Sequence, residues 1–173
     1  LDKDTSWIIL VAKTDSMMNY LSQIIKNREI TKNYIAVVNG IFPEREFKIE
    51  SYIGRDPNDR LKMTTKNPLN PKIAISYGEV LSYIDNKYSV LKINIKTWRT
   101  HQIRVHLSSI GYPIIWDKVY WIKHINEEVL KKFWLQRQAL HAYELDFNLY
   151  WKQVNFKAKL KADMKKIIWD LIF

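Results

Sequence analysis

The stretch IAISYGEVLSYIDNKYSVLKINI, Ile73 to Ile95, decides the fold. Its two long segments, Ile73 to Ile84 and Tyr88 to Ile95, are rich in β-branched and aromatic residues and flank Asp85-Asn86-Lys87, a pattern that predicts an antiparallel hairpin. Outward toward the N-terminus, Tyr34 to Val38 reads as a strand ended by Asn39-Gly40, with a loop at Pro43 and Glu44. Asp15 or Ser16 caps a predicted helix running to about Lys26, and its apolar positions Met17, Tyr20, Leu21, Ile24 and Ile25 recur at helical spacing. The apolar run Ile8 to Ala12 reads as a short buried strand. Toward the C-terminus, His101 to Ile110 reads as a helix closed by Gly111 in the left-handed position, with Pro113 beyond it. Glu127 to Phe133 reads as a short helix, His141 to Asn148 and Val154 to Leu160 as a strand pair, and Asp163 to Ile172 as a terminal helix. Long hairpins mixed with helices, without regular strand and helix alternation, predict an α+β domain on a mostly antiparallel mixed sheet with flanking helices.

The chain has 173 residues, 47% of them hydrophobic, which suits one core and a single domain over residues 1–173. A formal net charge of +10 favours a polyanionic partner, because Lys and Arg neutralise phosphates and release counterions. Nucleic acid is therefore the expected partner. There is no Cys, which excludes disulfides and thiolate metal sites, and four scattered His predict no metal site. No apolar run approaches the roughly 20 residues that span a bilayer and no signal-like segment opens the chain, so the expectation is a cytoplasmic protein without a membrane partner.

The chemistry concentrates in Trp98-Arg99-Thr100-His101-Gln102-Ile103-Arg104-Val105-His106-Leu107. Arg99, His101, Arg104 and His106 put four cations or imidazoles into one strand-to-helix junction, more polar chemistry than a fold needs. At the chain's start, Leu1-Asp2-Lys3-Asp4-Thr5-Ser6 can supply the carboxylate that such a cluster holds. Each residue also has a plainer reading: Asp2 as a loop or cap carboxylate, Tyr34 as core, and Arg99, His101 and His106 as a solvated helix face.

Five segments in order resemble the RluA-type pseudouridine synthases. They are Leu1 to Ser6 followed by Leu10 to Thr14; Lys32 to Gly40; Arg99 to Leu107; Gly111 to Ile114 with Asp117 to Tyr120; and Arg137-Gln138-Ala139-Leu140-His141-Ala142. The resemblance implies an enzyme that isomerises uridine in RNA, expected to be ribosomal RNA, with Asp2 as the catalytic aspartate. It implies Arg104 as the cation paired with Asp2, and Tyr34 as the residue that stacks on the target base and assists proton removal from C5. Arg99, His101, Gln102, His106, Arg137 and His141 are the expected RNA contacts. No metal, nucleotide or redox cofactor is implied, and a monomer is the default. The family's first motif opens with a His-Arg pair that would lie just before Leu1, so the catalytic domain is expected to be incomplete at its N-terminus. The alternative reading is an RNA-binding module that keeps the fold with an impaired site.

The sequence departs from the family pattern at Trp7, Trp98, Trp116, Trp121, Trp151 and, as a sixth, Trp134, where glycine is usual. The chain has 4 Gly, against about 12 at an average near 7%. These tryptophans are read as glycines: UGA codons that the source organism reads as glycine, translated with a table that assigns tryptophan. The competing reading makes them aromatic platforms for RNA bases.

Overall fold

The computed structural model describes residues 2–120 and 135–168. Its elements are α1 (Asp15–Lys26), β1 (Thr31–Asn39), β2 (Glu46–Arg55), β3 (Met63–Thr64), β4 (Leu69–Ile84), β5 (Tyr88–Ile95), α2 (Gln102–Ser109), β6 (Leu140–Leu149), β7 (Lys152–Lys157) and α3 (Ala162–Lys165). The strands form one sheet in the order β3-β2-β4-β5-β1-β6-β7, every neighbouring pair antiparallel. The fold is therefore the expected α+β arrangement, and the decisive hairpin is β4–β5, paired from Ser76 with Ile95 to Ile84 with Tyr88.

The sheet's centre is its driest part. In β1, Ile35, Ala36, Val37 and Val38 are fully buried, so both faces of this strand are covered. Ile103 and Leu107 of α2 join the same core, while Val105 packs with Ile53 of β2 and Ala74 of β4. Helix α1 buries Leu21 and Ile24 against Ile30, Leu145 and Phe147. Its cap is Thr14, one residue before the two expected, and the Thr14 hydroxyl accepts from the Met17 N–H at 3.2 Å. Gly111 has φ +90, as the expected helix stop requires.

The reading of Ile8 to Ala12 as a buried strand is corrected. These residues form no strand, and Ile9 and Val11 are 55% and 74% exposed. The physical reason lies in β6, whose pairing with β7 reaches only from Leu149 back to Glu144. Beyond that point residues 6–8 run alongside β6 instead, with Ser6 and Ile8 N–H donating to Leu140 and Ala142 carbonyls and Ala142 N–H returning a bond to Ser6. Ser6 and His141 form a parallel bridge there, and the chain then leaves the sheet. Strand β2 was not anticipated, and β7 lies two residues before the expected Val154 start because Tyr150-Trp151 form the turn. Of the expected Asp163–Ile172 helix, the short α3 and the turn after it are described. The expected helix at Glu127 to Phe133 lies outside the described residues.

The tryptophans sit uneasily. Trp116 holds φ 60, a left-handed conformation that costs a non-glycine residue roughly 1–2 kcal/mol. The buried indole N–H groups of Trp116 and Trp98 have no hydrogen-bond partner among the described residues. Trp151 at the β6–β7 turn is 94% exposed and Trp7 is 46% exposed, while Trp121 and Trp134 lie outside the described residues.

Candidate active site

Helix α2 is buried along Gln102 to Leu107 although it carries Gln102, Arg104 and His106. Buried polar side chains are tolerated when their hydrogen bonds are met, and the partners of these three organise the site.

Arg104 is 4% exposed. Its Nε and Nη2 donate to the two carboxylate oxygens of Asp117 at 2.7 and 2.9 Å, and Nη1 donates to Asp2 Oδ2 at 3.1 Å. The Asp117 carboxylate also accepts the N–H groups of Val119 and Tyr120. Burial alone would lower the Arg104 pKa, but the hydrogen bonds and charge of Asp117, followed by those of Asp2, outweigh it and raise the pKa above its ordinary value. A permanently charged guanidinium thus faces Asp2. Asp117 is fully buried and Asp2 is only partly so, so one carboxylate anchors the arginine and the other stays within reach of solvent.

The Asp2 segment is held from behind by the residues that precede and begin β6. Gln138 Nε2 donates to Lys3 O at 2.8 Å and Thr5 Oγ1 at 3.1 Å. Arg137 Nη1 donates to the Asp4 carbonyl, while its Nε and Nη2 grip Asp163 of α3 at 2.7 and 2.9 Å. His141 Nδ1 lies 2.9 Å from Ser6 Oγ, and Nε2 lies 3.1 Å from Ala158 O. Asp4 has φ 71, so the segment turns sharply between Asp2 and Thr5.

Asp2, Tyr34, Arg99, His101 and Arg104 line one cleft of about 340 Å3, together with Lys32, Trp98 and Gln102. Tyr34, on β1, is 7% exposed, and its hydroxyl makes no hydrogen bond among the described residues. Burial first and the Asp2 charge second push its pKa up to about 12, so near neutral pH it is a phenol. Arg99 is anchored by one bond, Nε to Ile73 O at 2.9 Å. His101 precedes α2 in the left-handed conformation, φ 57, which places it at the cleft.

The structure brings Asp2, Tyr34, Arg104, Arg99 and His101 together, and it engages four of the expected RNA contacts with protein partners instead. His106 is fully buried against Ser76, at 3.0 Å, and burial lowers its pKa to about 4. His141 is 1% exposed and bracketed by Ser6 and Ala158. Gln102 is 3% exposed and its amide is engaged with Thr97, the Arg99 N–H, Ile75 O and Ser76. Arg137 is committed to Asp163 and the Asp2 segment. These four hold the site's frame.

Three residues were not singled out from sequence. Asp117 and Tyr120 stood in a motif without a role, and Lys32 was quoted only as a motif start. Lys32 is two residues from Tyr34 on the same face of β1, with Nζ 3.9 Å from the centre of the Trp98 ring, and burial lowers its pKa. Among the described residues no cluster of three or more His, Asp or Glu is placed to hold a metal.

Comparison with known proteins matches this geometry to one family. The family profile described as RNA pseudouridylate synthase matches residues 1–109. Ribosomal large subunit pseudouridine synthase D of Neisseria meningitidis serogroup B is 38% identical over 97% of this chain and 46% of its own length. The protein of the same name from Zymomonas mobilis is 34% identical over 95% of this chain and 52% of its own length. The chain thus spans about half the length of these curated relatives. Among solved structures, human RNA Pseudouridylate Synthase Domain Containing 1 superposes with a TM-score of 0.82 at 28% identity, over 92% of this chain and 66% of that one. The matched profile and the relatives that cover nearly the whole chain lead to one conclusion: this chain belongs to the RNA pseudouridylate synthase family.

Proposed function

We propose that the chain isomerises uridine to pseudouridine in RNA, with ribosomal RNA as the substrate class that the names of its bacterial relatives suggest. The observation that carries this reading is the Asp2 carboxylate, held at 3.1 Å by an arginine that Asp117 has already fixed, at a cleft floored by Tyr34. Residues 1–173 act as the catalytic domain.

The reaction breaks the C1′–N1 bond, rotates the base and forms C1′–C5. The C5 hydrogen leaves as a proton and N1 gains one, so the step is redox-neutral. Asp2 attacks the ribose or assists departure of the base, and Arg104, bonded to its Oδ2 at 3.1 Å, orients the carboxylate. The base must be extruded from folded RNA, at a cost of a few kcal/mol that stacking on Tyr34 offsets in part. A phenol with its pKa near 12 favours stacking and hydrogen-bond donation over the proton-removing role that the resemblance assigns to it. Arg99 and Lys32 face the RNA backbone as cations, and the +10 charge supplies general affinity for it.

The test is release of tritium from RNA carrying C5-labelled uridine, with ribosomal RNA and transfer RNA compared. Release supports the synthase. Salt-dependent RNA binding with no release supports the alternative, an RNA-binding module with an impaired site, which Trp98 in the cleft favours, since its buried indole N–H has no hydrogen-bond partner among the described residues.

A further inference from the structure

Tyr120 stands between three elements. Its hydroxyl accepts the Met63 N–H of β3 at 2.8 Å and lies 2.7 Å from His101 Nδ1. Its carbonyl accepts the Ser108 hydroxyl of α2 at 3.1 Å. The two rings meet edge to face, with centroids 5.5 Å apart and planes at 82°, and the Arg104 guanidinium lies over the Tyr120 ring at 5.0 Å.

A phenol has one proton to give. The Met63 N–H already occupies one of its lone pairs, and among the described residues His101 Nδ1 is the acceptor within reach of that proton. Donation to Nδ1 leaves the imidazole proton on Nε2, which makes no hydrogen bond to the described residues of a side chain that lines the Asp2 cleft. The ring is also held neutral. Burial lowers its pKa, and the Arg104 charge adds to that against the opposing carboxylates of Asp2 and Asp117. A neutral ring matters because an imidazolium beside Asp2 would give that carboxylate a second cationic partner and blunt it.

We infer that Tyr120 is a positioning residue: its hydroxyl fixes His101 in the tautomer that presents a neutral Nε2–H to an acceptor oxygen of the nucleotide in the cleft. The inference rests on the synthase reading for its catalytic consequence, but the tautomer itself does not depend on turnover. Because Met63 belongs to the strand pair Arg55–Met63, the same phenol ties the sheet's far edge to the site.

The experiment is 15N NMR of the chain with labelled histidine, wild type and Tyr120→Phe, with tritium release measured for both and for each in a His101→Ala background. The expected result is a wild-type His101 with bare Nδ1 and protonated Nε2, and mixed tautomers in Tyr120→Phe. Activity is expected to fall about tenfold in kcat/KM on Tyr120→Phe, with no further loss when His101 is already Ala. A protonated Nδ1 in the wild type, or an equal loss from Tyr120→Phe with and without His101, overturns the inference. Absence of tritium release in the wild type overturns the synthase reading instead and leaves the nitrogen shifts to decide the tautomer.

Discussion

Arg104 gives Asp117 two of its three guanidinium nitrogens, at 2.7 and 2.9 Å, and meets Asp2 with the third. The Asp117 bonds orient the fork, so the Asp2 contact is made by a group that is already fixed. Such parallel arginine to carboxylate bonds carry geometric as well as electrostatic weight.

Removing the anchor should therefore cost stability and activity together. Asp117→Ala leaves a buried guanidinium without its main partner, and a loss of about 3–5 kcal/mol is expected. Arg104→Lys keeps a charge but loses the fork. Urea unfolding with tritium release checks both: Asp117→Ala should lower the midpoint sharply, and Arg104→Lys should lose more activity than stability.

Gln138 separates two roles that the sequence left joined. It grips Lys3 and Thr5, on either side of Asp4 in the turn that follows Asp2. Gln138→Ala should lower kcat about ten- to a hundredfold through misplacement of the carboxylate and leave RNA affinity unchanged. Arg137→Ala should behave alike. A weakened RNA affinity with intact kcat would return Arg137 to the RNA-contacting set.

His106 makes stability depend on pH. Its folded pKa lies near 4 because burial disfavours the charged ring, whereas an unfolded histidine titrates near about 6.5. Between these values the unfolded chain binds more protons, so stability falls as pH drops from about 6.5 toward 4, by up to about 3 kcal/mol from this residue. His101 and His141 are shifted the same way by burial. Urea midpoints between pH 7 and 4.5 should decline, and His106→Gln should flatten that decline.

Trp116 makes a prediction about the residue itself. Its φ of 60 and its buried indole N–H, without a hydrogen-bond partner among the described residues, are what a glycine position forced to carry the largest side chain looks like. Peptide mass spectrometry on the protein from its native organism is expected to find glycine at positions 7, 98, 116, 121, 134 and 151. Tryptophan at these positions would make Trp98 a real wall of the cleft.

The sequence made most of the sheet and part of the site legible, for different physical reasons. The β4–β5 hairpin was readable because Asp85-Asn86-Lys87 punctuates two apolar runs, and α2 because Gly111 ends it. Strand β2 went unread although Phe47 and Ile49 alternate with Glu46, Lys48 and Glu50, the signature of a half-solvated strand. Ile8 to Ala12 misled because an apolar run does not reveal whether a neighbouring strand has room to pair with it. Asp2, Tyr34 and Arg104 were found through motif order. Asp117 was not, since its grip on an arginine thirteen residues earlier exists only in three dimensions. His106, His141 and Gln102 were taken for surface because polar side chains usually are, and here each is buried with its bonds turned inward.

The measurement that tests the central claim most directly is Asp2→Asn, followed by both tritium release and RNA affinity. Asparagine keeps the size of the side chain, and Arg104 retains its bonds to Asp117, so the fold and the cleft should persist. Loss of release by about a thousandfold or more, ~4 kcal/mol in the barrier, with unchanged RNA affinity is the predicted result. Release that survives the substitution would contradict Asp2 as the catalytic carboxylate.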